Sequence, residues 1–143
     1  MAKTKRGTSN EESKQPARFS FQTIQPRTKN QDRVFQEYRG GKNLVLHGIA
    51  GTGKTFISLF LALEDIFNKD TPYERITIVR SVVPTRDIGF LPGSEEEKLS
   101  VYETPYKSIV SELFGSKDSY DHLKTKKKIQ FVSTSYVRGI TFR

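Results

Sequence analysis

Apolar positions are sparse and unpatterned over residues 1–22, and become periodic only after them. Val34, Phe35 and Tyr38 recur at helical spacing ahead of Gly40-Gly41, which predicts a short helix with Asn30 as its N-cap. "NLVLHG" predicts a short buried strand over Leu44–Leu46. "KTFISLFLALEDIFNKD" is apolar on most faces, as suits a helix packed between a sheet and another layer, and Thr71-Pro72 breaks it. "RITIVRS" is a continuous apolar run over Ile76–Val79, the pattern of a parallel strand covered on both faces. A long loop punctuated by Pro84, Gly89, Pro92 and Gly93 follows. Tyr106, Ile109, Val110, Leu113 and Phe114 then share one helical face, with Gly115 as the stop. After a basic connector, Ile129–Val132 predicts a third strand. The order β-α-β-α-β argues for an α/β domain with a parallel sheet flanked by helices.

Length changes this picture little: 143 residues make room for one domain with one core. The expected division is a disordered basic arm over residues 1–22 and a folded domain over 23–143. No apolar run is longer than Leu59–Leu63, so no transmembrane helix is predicted, and the N-terminus lacks the apolar centre of a secretory signal. The absence of cysteine excludes disulfides and thiolate metal sites, and cytoplasm is the default compartment. Charge adds more. Residues 1–29 hold seven Lys/Arg against Glu11 and Glu12, whereas residues 30–143 hold seventeen against fourteen acidic residues. More than half of the +8 excess thus sits on the N-terminal stretch, which is either a solubilising tail or an arm drawn to RNA or DNA.

The chemistry concentrates between the first strand and the helix after it. Gly48-Ile49-Ala50-Gly51-Thr52-Gly53-Lys54-Thr55 matches G-x-x-x-x-G-K-[ST] at every fixed position. Glycines let the backbone wrap an anion with its N–H groups, where side chains would collide. Lys54 would neutralise the β/γ-phosphates, Thr55 would offer a hydroxyl to Mg²⁺, and the helix beginning near Gly53 would turn its positive end toward them. A chance match in a chain this long is on the order of one in two hundred, before the strand–loop–helix context is counted. No Asn-Lys-x-Asp guanine reader is present, since Asn68-Lys69-Asp70-Thr71 fails at its fourth position. Gln31 suits adenine instead, because a primary amide both donates and accepts, as adenine N6 and N7 require; it is equally an ordinary surface glutamine.

Arg80 ends the second strand and Arg138 follows the third, and ligands of parallel α/β sheets sit at strand C-terminal ends. Both arginines are therefore candidates to face the phosphates or a nucleic-acid backbone, with ordinary surface positions as the alternative. Lys124 and Lys126–Lys128 read as a solvated connector or a nucleic-acid contact, and "EEEK" as a helix start or an exposed turn. His47 and His122 have no partner in the sequence for a transition-metal site.

"GIAGTGKT", "ITIVRSVVPTRDIGFLPGSEEEK" and "STSYVRGITFR" together resemble the PhoH-like family of phosphate-starvation-associated ATPases, its phage-encoded members in particular, over about Gln25 to Arg143. The resemblance implies a P-loop NTPase fold like the RecA-like half of superfamily 1 helicases. It also implies ATP and Mg²⁺ as ligands, Asn30-Gln31 as the adenine-reading pair, and Lys54 and Thr55 as the catalytic members of the phosphate loop. Family relatives joined to nuclease domains act on RNA, and RecA-like relatives often form rings, so nucleic acid and a hexamer-like homo-oligomer are implied partners. A phage-encoded member would act in the host cytoplasm.

The family's next element is an apolar strand ending in Asp-Glu, and the sequence stops before it. No Asp or Glu occurs after Asp121, and the predicted strands end in His47, Arg80 and small polar residues. The residues present are therefore expected to hold a triphosphate and not to cleave it. The chain is expected to be the N-terminal portion of a longer ATPase; the alternatives are a non-hydrolysing nucleotide-binding or oligomerisation module completed by another polypeptide, and an RNA- or DNA-binding protein regulated by nucleotide.

Overall fold

The computed structural model describes residues 21–82 and 95–134. In chain order these form α1 (Lys29–Arg39), α2 (Lys54–Phe67), β1 (Ile76–Arg80), α3 (Glu95–Phe114), α4 (Ser119–Thr125) and β2 (Ile129–Ser133). β1 and β2 pair in parallel, with Ile76 opposite Ile129 and Arg80 opposite Ser133. The result is a small α/β unit whose two strands both run toward one end, joined by a crossover through α3 and α4.

The core is built around α2. Phe60 and Leu63 are fully buried and Ile57, Leu59 and Leu61 nearly so, which the helix's apolar character on most faces requires. Val110, Leu113 and Phe114 of α3, Tyr120 and Leu123 of α4, and Ile76, Ile78 and Ile129 of the strands close around it. Phe21 belongs to the same core: its ring stacks on Phe60 with centroids 5.4 Å apart, and the next residue, Gln22, donates its N–H to the Leu113 carbonyl at 2.9 Å. The hydrophobic packing thus takes in two residues that composition assigned to the polar arm.

Four local expectations change. Thr28, not Asn30, caps α1; its backbone is extended and its hydroxyl accepts from the Gln31 N–H at 3.1 Å. The stretch expected as a basic connector contains α4, a seven-residue helix that buries Ser119, Tyr120 and Leu123. α3 starts at Glu95, so "EEEK" is its first turn, and Pro105 lies inside it. The proline has no N–H for the preceding turn. Beside that turn, the Arg80 guanidinium donates to the Tyr102 carbonyl at 3.0 Å.

The fourth change matters most for function. Leu44–Leu46, expected as a buried strand, lie in an extended stretch over residues 42–48 that pairs with no strand among the described residues. Leu44 and Leu46 are half-buried, whereas Val45 is 92 % exposed. The alternation is that of a strand with one face packed, but the segment pairs with neither β1 nor β2. β1 likewise has one covered face: Ile76 and Ile78 are buried, while Val79 is 49 % exposed. The apolar pattern predicted coverage on both faces, and the described residues supply only one layer.

Candidate functional site

Gly48–Thr55 forms the loop between this unpaired extended segment and α2. Its conformation depends on its glycines: Gly48, Gly51 and Gly53 have φ of +153°, +82° and +84°, values that L side chains rarely adopt. Gly53, left-handed, is the N-cap of α2 and makes no side-chain cap hydrogen bond. The first backbone bond of the helix runs from the Ile57 N–H to the Gly53 carbonyl. The N–H groups of the first turn therefore have no intrahelical partner, and the positive end of the helix dipole opens onto the loop.

Lys54, the first residue of α2, folds back over the loop. Its ammonium donates to the carbonyls of Gly48 and Ile49 at 2.9 and 2.7 Å. The Thr52 hydroxyl spans the same turn, donating to the Ile49 carbonyl at 2.9 Å. A primary ammonium has three donors and no fixed plane, so the same group can exchange these carbonyls for anionic oxygens within the concavity. Thr55 is exposed on the first turn beside it, and Ile49 is 83 % exposed at the loop tip.

Gln31 is brought to this loop by α1. Its side-chain carbonyl accepts from the Arg27 N–H at 2.7 Å, and its amide donates to the Thr52 carbonyl at 3.2 Å. Thr28 and Gln31 form three-residue spacing of the capping-box kind, but here the glutamine reaches back to the residue before the cap. That spacing, T-x-x-Q, is the sequence signal that would have placed the cap correctly. Asn30 is exposed on the same turn and makes no hydrogen bond to the loop.

Arg80 is held elsewhere. Its guanidinium lies over the Tyr102 and Tyr106 rings, 5.2 and 5.9 Å from their centroids, besides donating to the Tyr102 carbonyl. These contacts tie β1 to α3, and none of them reaches the loop. Arg138 lies outside the described residues, as do the "GFLPG" and "YVRG" stretches. Ser133, at the end of β2, is buried, and His47 is exposed.

The loop has the features a phosphate chain requires: open N–H groups, an ammonium folded over the turn and a backbone that admits no Cβ without strain. For a metal the fit is narrower, resting on the Thr55 hydroxyl. Among the described residues no group of three or more His, Asp or Glu is placed to hold an ion. Two cavities, of about 310 Å³ beside β2 and about 350 Å³ at the far end of α2, lie away from the loop. The site is placed at the loop nonetheless, because phosphate recognition needs convergent donors on an open surface more than enclosed volume.

Comparison with known proteins gives a consistent result. A family model described as PhoH-like protein matches residues 23–143. Protein PhoH of Escherichia coli strain K12 is 38 % identical over 97 residues, covering 66 % of this chain and 27 % of the relative. Protein PhoH2 of Bacillus subtilis is 35 % identical over 103 residues, covering 67 % and 22 %. A PhoH-like protein of Mycobacterium leprae is 30 % identical over 122 residues, covering 83 % and 34 %. The chain thus spans between 22 % and 34 % of the length of these relatives. No solved structure matches.

Proposed function

The chain belongs to the PhoH-like family, and from that premise we propose that it binds ATP with Mg²⁺ through Gly48–Thr55. The observation that carries this reading is the loop itself: three glycines at positive φ, an uncapped helix N-terminus and the Lys54 ammonium converge on one exposed concavity. In this reading Lys54 leaves the Gly48 and Ile49 carbonyls for the β/γ-phosphates, and the backbone N–H groups of the first turn of α2 orient the phosphate chain. Thr55 supplies a hydroxyl to Mg²⁺, which when bound neutralises charge on the phosphate oxygens. Gln31 is the adenine reader, and its bond to the Thr52 carbonyl couples base recognition to the shape of the loop. The remaining assignments, Asn30 beside the base and Arg138 near the phosphates, belong to the same proposal. So does the RecA-like sheet.

Hydrolysis in this proposal takes carboxylates that these residues do not place at a strand end; β2 closes in Ser133. They come from polypeptide that also pairs with residues 42–48, whose Val45 is bare and whose backbone lacks a strand partner. In the same proposal a further segment of the product, or a neighbouring copy in a ring in the cytoplasm, supplies that polypeptide.

Release of inorganic phosphate from Mg²⁺-ATP by this chain tests the division between holding and cleaving. The proposal predicts saturable ATP binding with phosphate release no faster than that of a Lys54→Ala control. Turnover that Lys54→Ala abolishes would show that the 143 residues carry the catalytic carboxylate themselves.

A further inference from the structure

At the opposite end of α2 from the phosphate loop, thirteen residues and so about 20 Å along the helix axis, lies a second cavity of about 350 Å³. Its apolar walls are Phe21, Phe67, Phe114 and Leu123; Ser119 and His122 also line it, and Lys126 and Lys128 complete the rim. The three rings form a cluster, with Phe67 and Phe114 edge to face at 5.7 Å and Phe21 tilted against Phe114 at 5.2 Å. Phe67 is 48 % exposed, an uncommon state for a ring in contact with two others. No carboxylate lines the cavity, and neither rim lysine takes part in an ion pair among the described residues.

We infer that this cavity is a docking site for a short acidic peptide segment carrying one aromatic or large aliphatic anchor, independent of nucleotide binding. The volume sits at the lower end of the range for ligand pockets, about 300–1,000 Å³, which suits one or two side chains. The apolar walls select the anchor. The hydroxyl of Ser119, the nearest polar side chain of the α4 start, is already committed to the Ser116 carbonyl at 2.8 Å. A phenylalanine or leucine side chain fills such walls with no polar group of its own to satisfy. The rim selects the flanks: Lys126 and Lys128, separated by Lys127 at a left-handed turn (φ +58°), present positive charge on the lip of an apolar pit. The chain's own N-terminal residues are poor occupants, since residues 1–20 hold five Lys/Arg against two Glu and would bring like charge to the rim. An acidic segment from a partner is complementary.

The test is fluorescence anisotropy with the full chain and a fluorescein-labelled decapeptide bearing one phenylalanine among aspartates and glutamates. The expected result is saturable, salt-sensitive binding that falls about tenfold for Phe67→Ala, for the Lys126→Glu/Lys128→Glu double variant, and for the peptide with alanine in place of phenylalanine. Lys54→Ala leaves the affinity unchanged. The two lysines lie on the surface or at the rim, so their reversal keeps the fold, and melting curves of each variant verify it. Absence of binding, or equal affinity for the alanine peptide, would overturn the inference. Tighter binding of oligothymidylate than of the peptide, lost in the lysine variant, would give the rim to nucleic acid and overturn it as well.

Discussion

Individual side chains decide what the phosphate loop can do before any ligand arrives. Gln31 bridges α1 and the loop through the Thr52 carbonyl, and so braces the loop beside the position proposed for the base. Gln31→Ala is expected to weaken ATP binding and to reduce the preference for ATP over GTP; competition titrations with the two nucleotides measure both. An unchanged preference would leave Gln31 with the bracing role alone. Tyr120 poses a different residue-scale problem. Its hydroxyl is buried beside the Glu103 carboxylate, and burial first, then that carboxylate, push its phenol above the ordinary 10.0. Glu103 is itself held by Lys124. The raised phenol also gives a pH signature. Unfolded chains release the proton near 10.0 while folded ones retain it, so stability falls as pH rises above that value. Tyr38, raised by burial and by its hydrogen bond to Asp65, acts in the same sense. Tyr120→Phe should therefore flatten, without abolishing, the alkaline loss of stability in urea titrations between pH 9 and 11 (an interval set about the ordinary phenol value). Identical slopes would remove Tyr120 from that account.

At the scale of elements, the structure depends on how each short helix is started and stopped. α1 has one buried side chain, Phe35, so its cap carries an unusual share of its stability. Thr28→Ala should cost about 1 kcal/mol and, because the same turn orients Gln31, should weaken nucleotide binding beyond what the stability loss alone explains. Chemical denaturation and a nucleotide titration on one preparation separate the two effects. Sequence patterns revealed α2, β1, the second half of α3 and β2, through a sustained apolar period in the helices, the β-branched run of β1 and the apolar alternation Ile129, Phe131 in β2. They hid α4, because seven residues with only Tyr120 and Leu123 as spaced apolar positions, followed by lysines, look like a solvated connector. They also placed the cap of α1 two residues late, by weighing Asn30 alone and not the T-x-x-Q spacing. Arg80 shows the limit most clearly. Its place at a strand end was legible, but its direction is set by Tyr102 and Tyr106 on α3, a contact that no local pattern encodes.

For the molecule as a whole, two poles emerge along α2. One carries the phosphate loop, continuous with an extended segment that has no strand beside it; the other carries the aromatic cavity and its lysine rim. No helix among the described residues is long and apolar enough to cross a membrane. Val45 is bare and Val79 half-exposed among the described residues. The loop's donors all come from the turn Gly48–Thr55 and the start of α2. Calorimetric titration of the chain with Mg²⁺-ATP, in parallel with Lys54→Ala, therefore tests the central claim most directly. The account predicts stoichiometric binding to the wild type and none detectable for the variant, with both proteins melting at similar temperatures. Equal ATP affinity in the two would contradict it, and would mean that the loop does not hold the nucleotide.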